Sequence, residues 1–230
     1  MKTPGLRARR MRHAAVAAAA YLSLASFAHA PADASRTGAA GLAALERLQA
    51  GNERFVRGGA AEAGPAPAEA PVAMVLSCAD ARTAPEIVFG TAPGELYVVR
   101  SFGQVVDRSV TASLEHGSEG LHLPLLVVMG HDSCAAVSAA AAPAPALSAH
   151  LDYLMKAIRA GLPRTASEQN DVRAAVLANV EQVINDLLGG SALMRTAVQE
   201  GRLLVVGAYY ESGTGQVVFS EPVGPSMSWH

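Results

Sequence analysis

Two cysteines, Cys78 and Cys134, are all that the chain has, so one bridge is the most it can form and a disulfide-stapled framework is excluded. A single tryptophan and an aromatic share of 5% mean that any core is filled by aliphatic side chains and alanine. Because much of the apolar half is alanine, the mean hydropathy overstates core-forming bulk and carries no membrane signal of its own. The apolar stretch Ala14–Phe27 falls short of the roughly 20 residues that span a bilayer. An excess of basic charge is also missing: 18 Lys and Arg face 20 Asp and Glu. Without a basic surface to release counterions, no nucleic-acid partner is expected.

What is present first is an asymmetric amino terminus. Lys2, Arg7, Arg9, Arg10 and Arg12 form a basic head, Ala14–Phe27 follows, and Ala28-His29-Ala30 offers small residues around a cut. This is the layout of a secretory signal peptide over residues 1–30; an uncleaved anchor or a basic arm are the alternatives. Cleavage would leave 13 basic against 20 acidic residues, a formal charge of −7. The expectation is an exported, periplasmic protein with no membrane contact after cleavage. Residues 31–41 read as a flexible leader, 42–222 as one domain and 223–230 as a tail. That length supports one substantial core, not two.

Within the domain, Leu42, Leu45, Leu48 and Phe55 recur at helical spacing, and Gly58-Gly59 stops the helix. Residues 60–71 read as a surface connection. Val72–Leu76, Leu96–Val99, Leu125–Met129 and Leu203–Val206 are apolar runs without polar alternation, the pattern of strands buried on both faces. Helical segments are expected at about 109–121, 134–142, 147–160, 170–188 and 191–200, and an edge strand at 215–220 after Ser212-Gly213-Thr214-Gly215. Strands alternating with helices predict a single α/β domain with a mainly parallel central sheet flanked by helices.

Chemistry concentrates after two of those strands. Cys78-Ala79-Asp80-Ala81-Arg82 follows the first, where residues two apart point the same way in extended chain. His131-Asp132-Ser133-Cys134 follows the third and opens a helix, where residues three apart face together. Both lie at carboxyl ends of parallel strands, where sites in open α/β sheets form. Two thiolates and an imidazole make a three-ligand zinc site with a fourth position left for water or a carboxylate. Zinc lowers the pKa of such a water from 15.7 to about 7. Asp80 and Arg82 would be its neighbours, with Asp80 able to become a fourth ligand if the pairing loosens. From the residues alone, His131 can equally be a satisfied core histidine, Asp80–Arg82 a surface ion pair, and Cys78–Cys134 a disulfide.

Taken together these motifs resemble the paired signatures of β-class carbonic anhydrases. Ala44–Leu48 with Gly51–Phe55 is similar to that family's first helix, and Pro85-Glu86, Gly94–Arg100, Gly207–Tyr210 and Thr214-Gly215 add to the likeness, which spans about 42–220. The resemblance implies a carbonate dehydratase, a lyase hydrating carbon dioxide reversibly to bicarbonate and a proton by zinc-bound hydroxide. It implies one zinc ion on Cys78, His131 and Cys134, Asp80 and Arg82 as catalytic dyad, and a homodimer or homotetramer. The chain departs from the family at Ala79, Ala81 and Ala135, and Ala92 stands where some members carry a pocket glutamine. Phe102, Gly103 and Gln104 form an altered pocket wall, which leaves a same-fold hydrolase of carbon disulfide or carbonyl sulfide as the alternative enzyme. The non-catalytic alternative is an exported protein with a Cys78–Cys134 disulfide. His116 and His122 are candidate proton shuttles.

Overall fold

The structure, a computed structural model, describes residues 34–59, 71–142, 147–162 and 171–223. The signal segment and most of the 60–71 connection and the 223–230 tail lie outside the described residues. The elements run α1 (Ala34–Val56), β1 (Ala73–Cys78), α2 (Pro85–Val88), β2 (Leu96–Ser101), α3 (Arg108–Glu115), β3 (Leu125–His131), α4 (Ala135–Ala141), α5 (Ala149–Gly161), α6 (Val172–Gly190), α7 (Ala192–Gln199), β4 (Leu204–Glu211) and β5 (Gln216–Phe219). Helix α1 begins at Ala34 and so takes in much of the stretch expected to be a flexible leader. That stretch holds Ala34, Ala39 and Ala40, and alanine is the strongest helix former. The helix expected at 109–121 is shorter: α3 ends at Glu115, and a π-turn carries the chain over His116–Gly120.

The sheet has the order β2-β1-β3-β4-β5, with the first four strands parallel and β5 antiparallel at the edge. Every residue of β1 and β3 is buried, as their unbroken apolar runs require. Alternate residues separate into two layers. Val75, Val127, Met129 and Val206 pack with Leu45 and Leu48 of α1, while Met74, Leu76, Leu126, Val128 and Val205 pack with Leu114 of α3 and Val180, Ile184 and Leu187 of α6. Each such fully buried aliphatic side chain contributes roughly 1.5–3 kcal/mol by leaving water.

Caps fix where the helices start. Asp107 accepts from the Val110 amide, Ser148 from Leu151, Asp171 from Arg173 and Ala174, and Ser191 from Met194. Helix α4 lacks such a cap: its N-cap residue is Cys134, whose sulfur makes no capping bond. Helix α1 is pinned by buried Asn52, which donates to Val88 and Gly215 carbonyls and accepts from Val217 N–H. Gly51 lets α1 approach that closely, since a Cβ there would lie 1.9 Å from the Phe89 carbonyl oxygen.

Because β1 is flanked by β2 on one side and β3 on the other, the chain reverses its direction of travel across the sheet between β1 and β3. Crevices of open α/β sheets form outside the carboxyl ends of strands at such a point. Cys78 ends β1 and His131 ends β3.

Candidate metal centre

At that crevice the Cys78 and Cys134 sulfurs and a ring nitrogen of His131 all lie within 4.8 Å of one another, and all three residues are buried. Both cysteines are free. The turn between β3 and α4 closes the group: Ser133 takes a left-handed conformation (φ 52°), bringing Cys134 back toward His131. Asp132 anchors this turn, with its amide bonded to the Tyr210 carbonyl and its carboxylate accepting from Ser212 N (2.9 Å) and Oγ (3.0 Å).

The donor set fits zinc. His131 Nδ1 donates to the Asp132 carbonyl at 2.8 Å, which leaves Nε2 as the bare lone pair. Nε2 is buried and has no protein partner. An unpaired buried acceptor costs free energy, and a cation held with two thiolates removes that cost. Two soft sulfurs and one imidazole are donors that zinc prefers.

Electrostatics within the group point the same way. A hydrogen bond from Cys134 holds the Cys78 thiol well below the ordinary thiol range; burial opposes this, and contacts with His131 and the Gly103 N–H assist. The same contact with Cys78 pushes Cys134 up, and burial adds to it. Burial works against protonation of His131, but the Cys78 thiolate beside it wins and the net shift is upward. The cluster as it stands therefore shares protons that a bound cation would displace.

Asp80 is not one of the clustered ligands. Arg82 holds its carboxylate in a fork, Nε to Oδ1 at 3.0 Å and Nη2 to Oδ2 at 2.8 Å, and the Arg82 amide adds a third bond to Oδ1 at 3.0 Å. That pairing holds the Asp80 carboxyl well below the usual carboxylate range. Arg82 also reaches the Ser133 carbonyl at 3.4 Å, so it links the two ligand-bearing loops. Arg100 fixes the first loop from behind, donating to the Cys78 and Asp80 carbonyls, and Thr83 Oγ1 lies 3.0 Å from the Cys78 carbonyl oxygen.

The expected pocket wall is beside the sulfurs. Phe102–Gln104 forms a 3₁₀ turn in which the Gly103 amide donates to Cys78 Sγ at 3.4 Å. Phe102 packs against the cluster containing Cys78 and Cys134. Gln104 is fully buried, and neither atom of its amide has a protein partner.

His116 and His122 are not brought here. Both precede β3, whose far end carries His131, and seven strand residues at about 3.3 Å each separate the two ends by roughly 20 Å. His116 instead lies against Tyr97, near the amino end of β2. Ala92 also precedes an amino end, that of β2, with its amide bonded to Glu95.

Residues that the sequence did not single out complete the site: Asp132, Thr83, Arg100 and Asn179, whose amide nitrogen donates to the Gly103 carbonyl at 3.0 Å. Asn179 carries a signal in retrospect, as a lone amide within the apolar stripe Val176, Val180, Val183 of α6.

A mainly parallel α/β sheet with a buried Cys-His-Cys cluster at its switch point and an arginine-clamped aspartate beside it defines a metal-dependent enzyme of the β-carbonic-anhydrase type. Residues 73–217 match the carbonic anhydrase family model, and the chain belongs to that family. Among curated relatives, carbonic anhydrase 2 of Mycobacterium tuberculosis is 32% identical over 195 residues, covering 80% of this chain and 94% of that protein. The carbonic anhydrase of Pseudomonas aeruginosa is 32% identical over 162 residues, covering 65% and 73%. The Coccomyxa β-carbonic anhydrase solved with acetazolamide superimposes with a TM-score of 0.59 at 26% identity, over 84% of this chain and 89% of that one. A tetrameric β-carbonic anhydrase of Sordaria macrospora shares the fold, with a TM-score of 0.59 at 24% identity over 81% and 93%.

Proposed function

We infer that this chain is a zinc-dependent carbonic anhydrase that interconverts carbon dioxide and bicarbonate. The observation that carries this is the convergence of Cys78, His131 and Cys134 within 4.8 Å while Asp80 is clamped away from them. Three protein ligands leave a tetrahedral ion one open position. Zinc, when bound, makes a coordinated water acidic enough to ionise near neutral pH.

The residues of the chain supply the rest. Cys78, Cys134 and His131 Nε2 would hold the ion; Asp132 sets the His131 tautomer through its carbonyl. Asp80, kept ionised by Arg82, is an acceptor only, and Oδ2 takes one bond from Arg82 where Oδ1 takes two. Oδ2 thus retains capacity to accept a proton donor at the open position and orient it toward substrate. Phe102, with buried Gly103 and Gln104, covers the sulfur side of the ligand group and limits water there.

Arg82→Ala is expected to lower carbon dioxide hydration by about 10- to 100-fold, the usual cost of losing a partner behind a metal site, with zinc content unchanged. Asp80 remains ionised above its ordinary carboxylate range with or without Arg82, so the loss should be uniform from about pH 7 to 9. A hydration rate equal to that of the unaltered protein across that range would make the Asp80–Arg82 fork merely structural.

We further propose that the protein is exported to the periplasm with residues 1–30 removed, and that it works as a homodimer or homotetramer. The basic head, apolar stretch and Ala28-His29-Ala30 support export. Among the described residues no helix is long and apolar enough to cross a membrane. Open sheet edges support assembly: β2 is only half-buried along most of its length, and Val218 of β5 is 49% exposed. Native mass spectrometry of protein recovered outside the cytoplasm should give an even multiple of a chain that starts near Pro31. Retention of Met1, or a lone chain at micromolar concentration, would contradict the corresponding half of this proposal.

A further inference from the structure

We propose that Asn179 is a positioning residue for the Cys78 sulfur, acting through Gly103; the inference rests on the zinc reading of the site. Asn179 lies on α6 and is 1% exposed, among Val176, Val180 and Val183 on the buried face of that helix. An amide in such a stripe is costly to bury unless it is bonded. Its bond is to one atom of the turn beside the metal ligands: Nδ2 donates to the Gly103 carbonyl at 3.0 Å.

Gly103 passes that restraint on. Its carbonyl receives Asn179 and its amide donates to Cys78 Sγ at 3.4 Å, so the orientation of one residue decides whether the sulfur has its N–H. Ser101 Oγ ties the ends of the turn by donating to the Val105 carbonyl at 2.8 Å, but it does not touch the Gly103 carbonyl. Gly103 (φ 72°) and Gln104 (φ 48°) are consecutive left-handed residues, a conformation that persists only when the surroundings enforce it. Gln104 cannot enforce it through its side chain, because neither amide atom has a protein partner. Packing confines the turn on one side, where a Cβ on Gly103 would meet Ile158 Cδ1 at 2.7 Å and Ala136 Cβ at 2.9 Å. Asn179 supplies the directional hold.

The chemical consequence falls on the thiolate. An N–H aimed at a ligating sulfur draws off negative charge and fixes the direction of its lone pairs, as partners behind metal ligands do. Without Asn179 the Gly103–Gln104 peptide is free to turn, and the backbone of Gly103 that aims its own N–H at Cys78 Sγ loses a restraint.

The test is Asn179→Leu, read by zinc affinity in competition with a chromophoric chelator and by the sulfur-to-cobalt charge-transfer band of the cobalt-substituted protein. Affinity is expected to fall roughly tenfold, the lower end of the 10–100-fold range for such partners, and the band to shift. Ile184→Val, which thins the core on the same helix, should lower the melting temperature and leave both readouts as in the unaltered protein. If Asn179→Leu does not fold, Asn179→Ala removes the amide without added bulk and carries the same expectation. Unaltered affinity and an unshifted band in the folded variant would overturn the inference alone. Failure of the unaltered protein to bind zinc would overturn the metal reading and this inference with it.

Discussion

Cys78→Ser and Cys134→Ser are each expected to abolish carbon dioxide hydration and to strip zinc in proportion. Each change replaces a soft sulfur, one of only three clustered ligand atoms, with a hydroxyl that zinc binds poorly. Without the ion no group in the site can ionise water near neutral pH. The whole rate acceleration, at least about 10⁶-fold for enzymes in general, should therefore go with it. The fold should survive Cys78→Ser, because a serine oxygen can still accept from the Gly103 amide and is not left as an unpaired buried group. Circular dichroism separates loss of metal from loss of fold. A folded Cys78→Ser protein with full zinc and full rate would remove Cys78 from the ligand set.

Chelation in air is expected to convert Cys78 and Cys134 into a disulfide and to abolish activity until reductant and zinc are both restored. The two sulfurs lie within 4.8 Å of each other. A disulfide needs about 2.05 Å, a modest approach. The Cys78 thiol is held in its thiolate-favouring state, and the thiolate is the species that reacts. Two thiols lose two protons and two electrons, and dioxygen takes up the electrons. Mass spectrometry should find the chelated chain lighter by two hydrogens, with no titratable thiol, while the zinc-loaded protein keeps both. Two free thiols persisting in the chelated protein under air would mean that the sulfurs are not neighbours in solution. In an oxidising compartment zinc would thus guard the cysteines as well as serve the reaction.

Much of this was legible in the sequence because the central strands are apolar without alternation. Val72–Leu76 and Leu125–Met129 read as strands covered on both faces, which put Cys78 and His131 at carboxyl ends; the sheet order then makes those ends neighbours. The spacings within Cys78–Arg82 and His131–Cys134 allowed a zinc set and an aspartate–arginine pair, and the resemblance to β-class carbonic anhydrases selected them over a core histidine, a surface ion pair and a disulfide. Short elements were not legible: α2 has four residues and the Phe102–Gln104 turn three, too few for any periodicity. Nor was the long-range support. Asn179 bonds a carbonyl 76 positions away and Asp132 a serine 80 positions away, and no local pattern announces such partners. His116 and His122 show the converse: residues of suitable chemistry that topology places at the wrong end of the strands.

Zinc content measured alongside carbon dioxide hydration across pH, on the same purified protein, tests the central claim most directly. One zinc per chain is expected, with a rate that rises through about pH 7 as a coordinated water ionises and that vanishes on chelation. A protein that hydrates carbon dioxide without zinc, or that holds one zinc per chain and leaves carbon dioxide untouched at every pH, would contradict it.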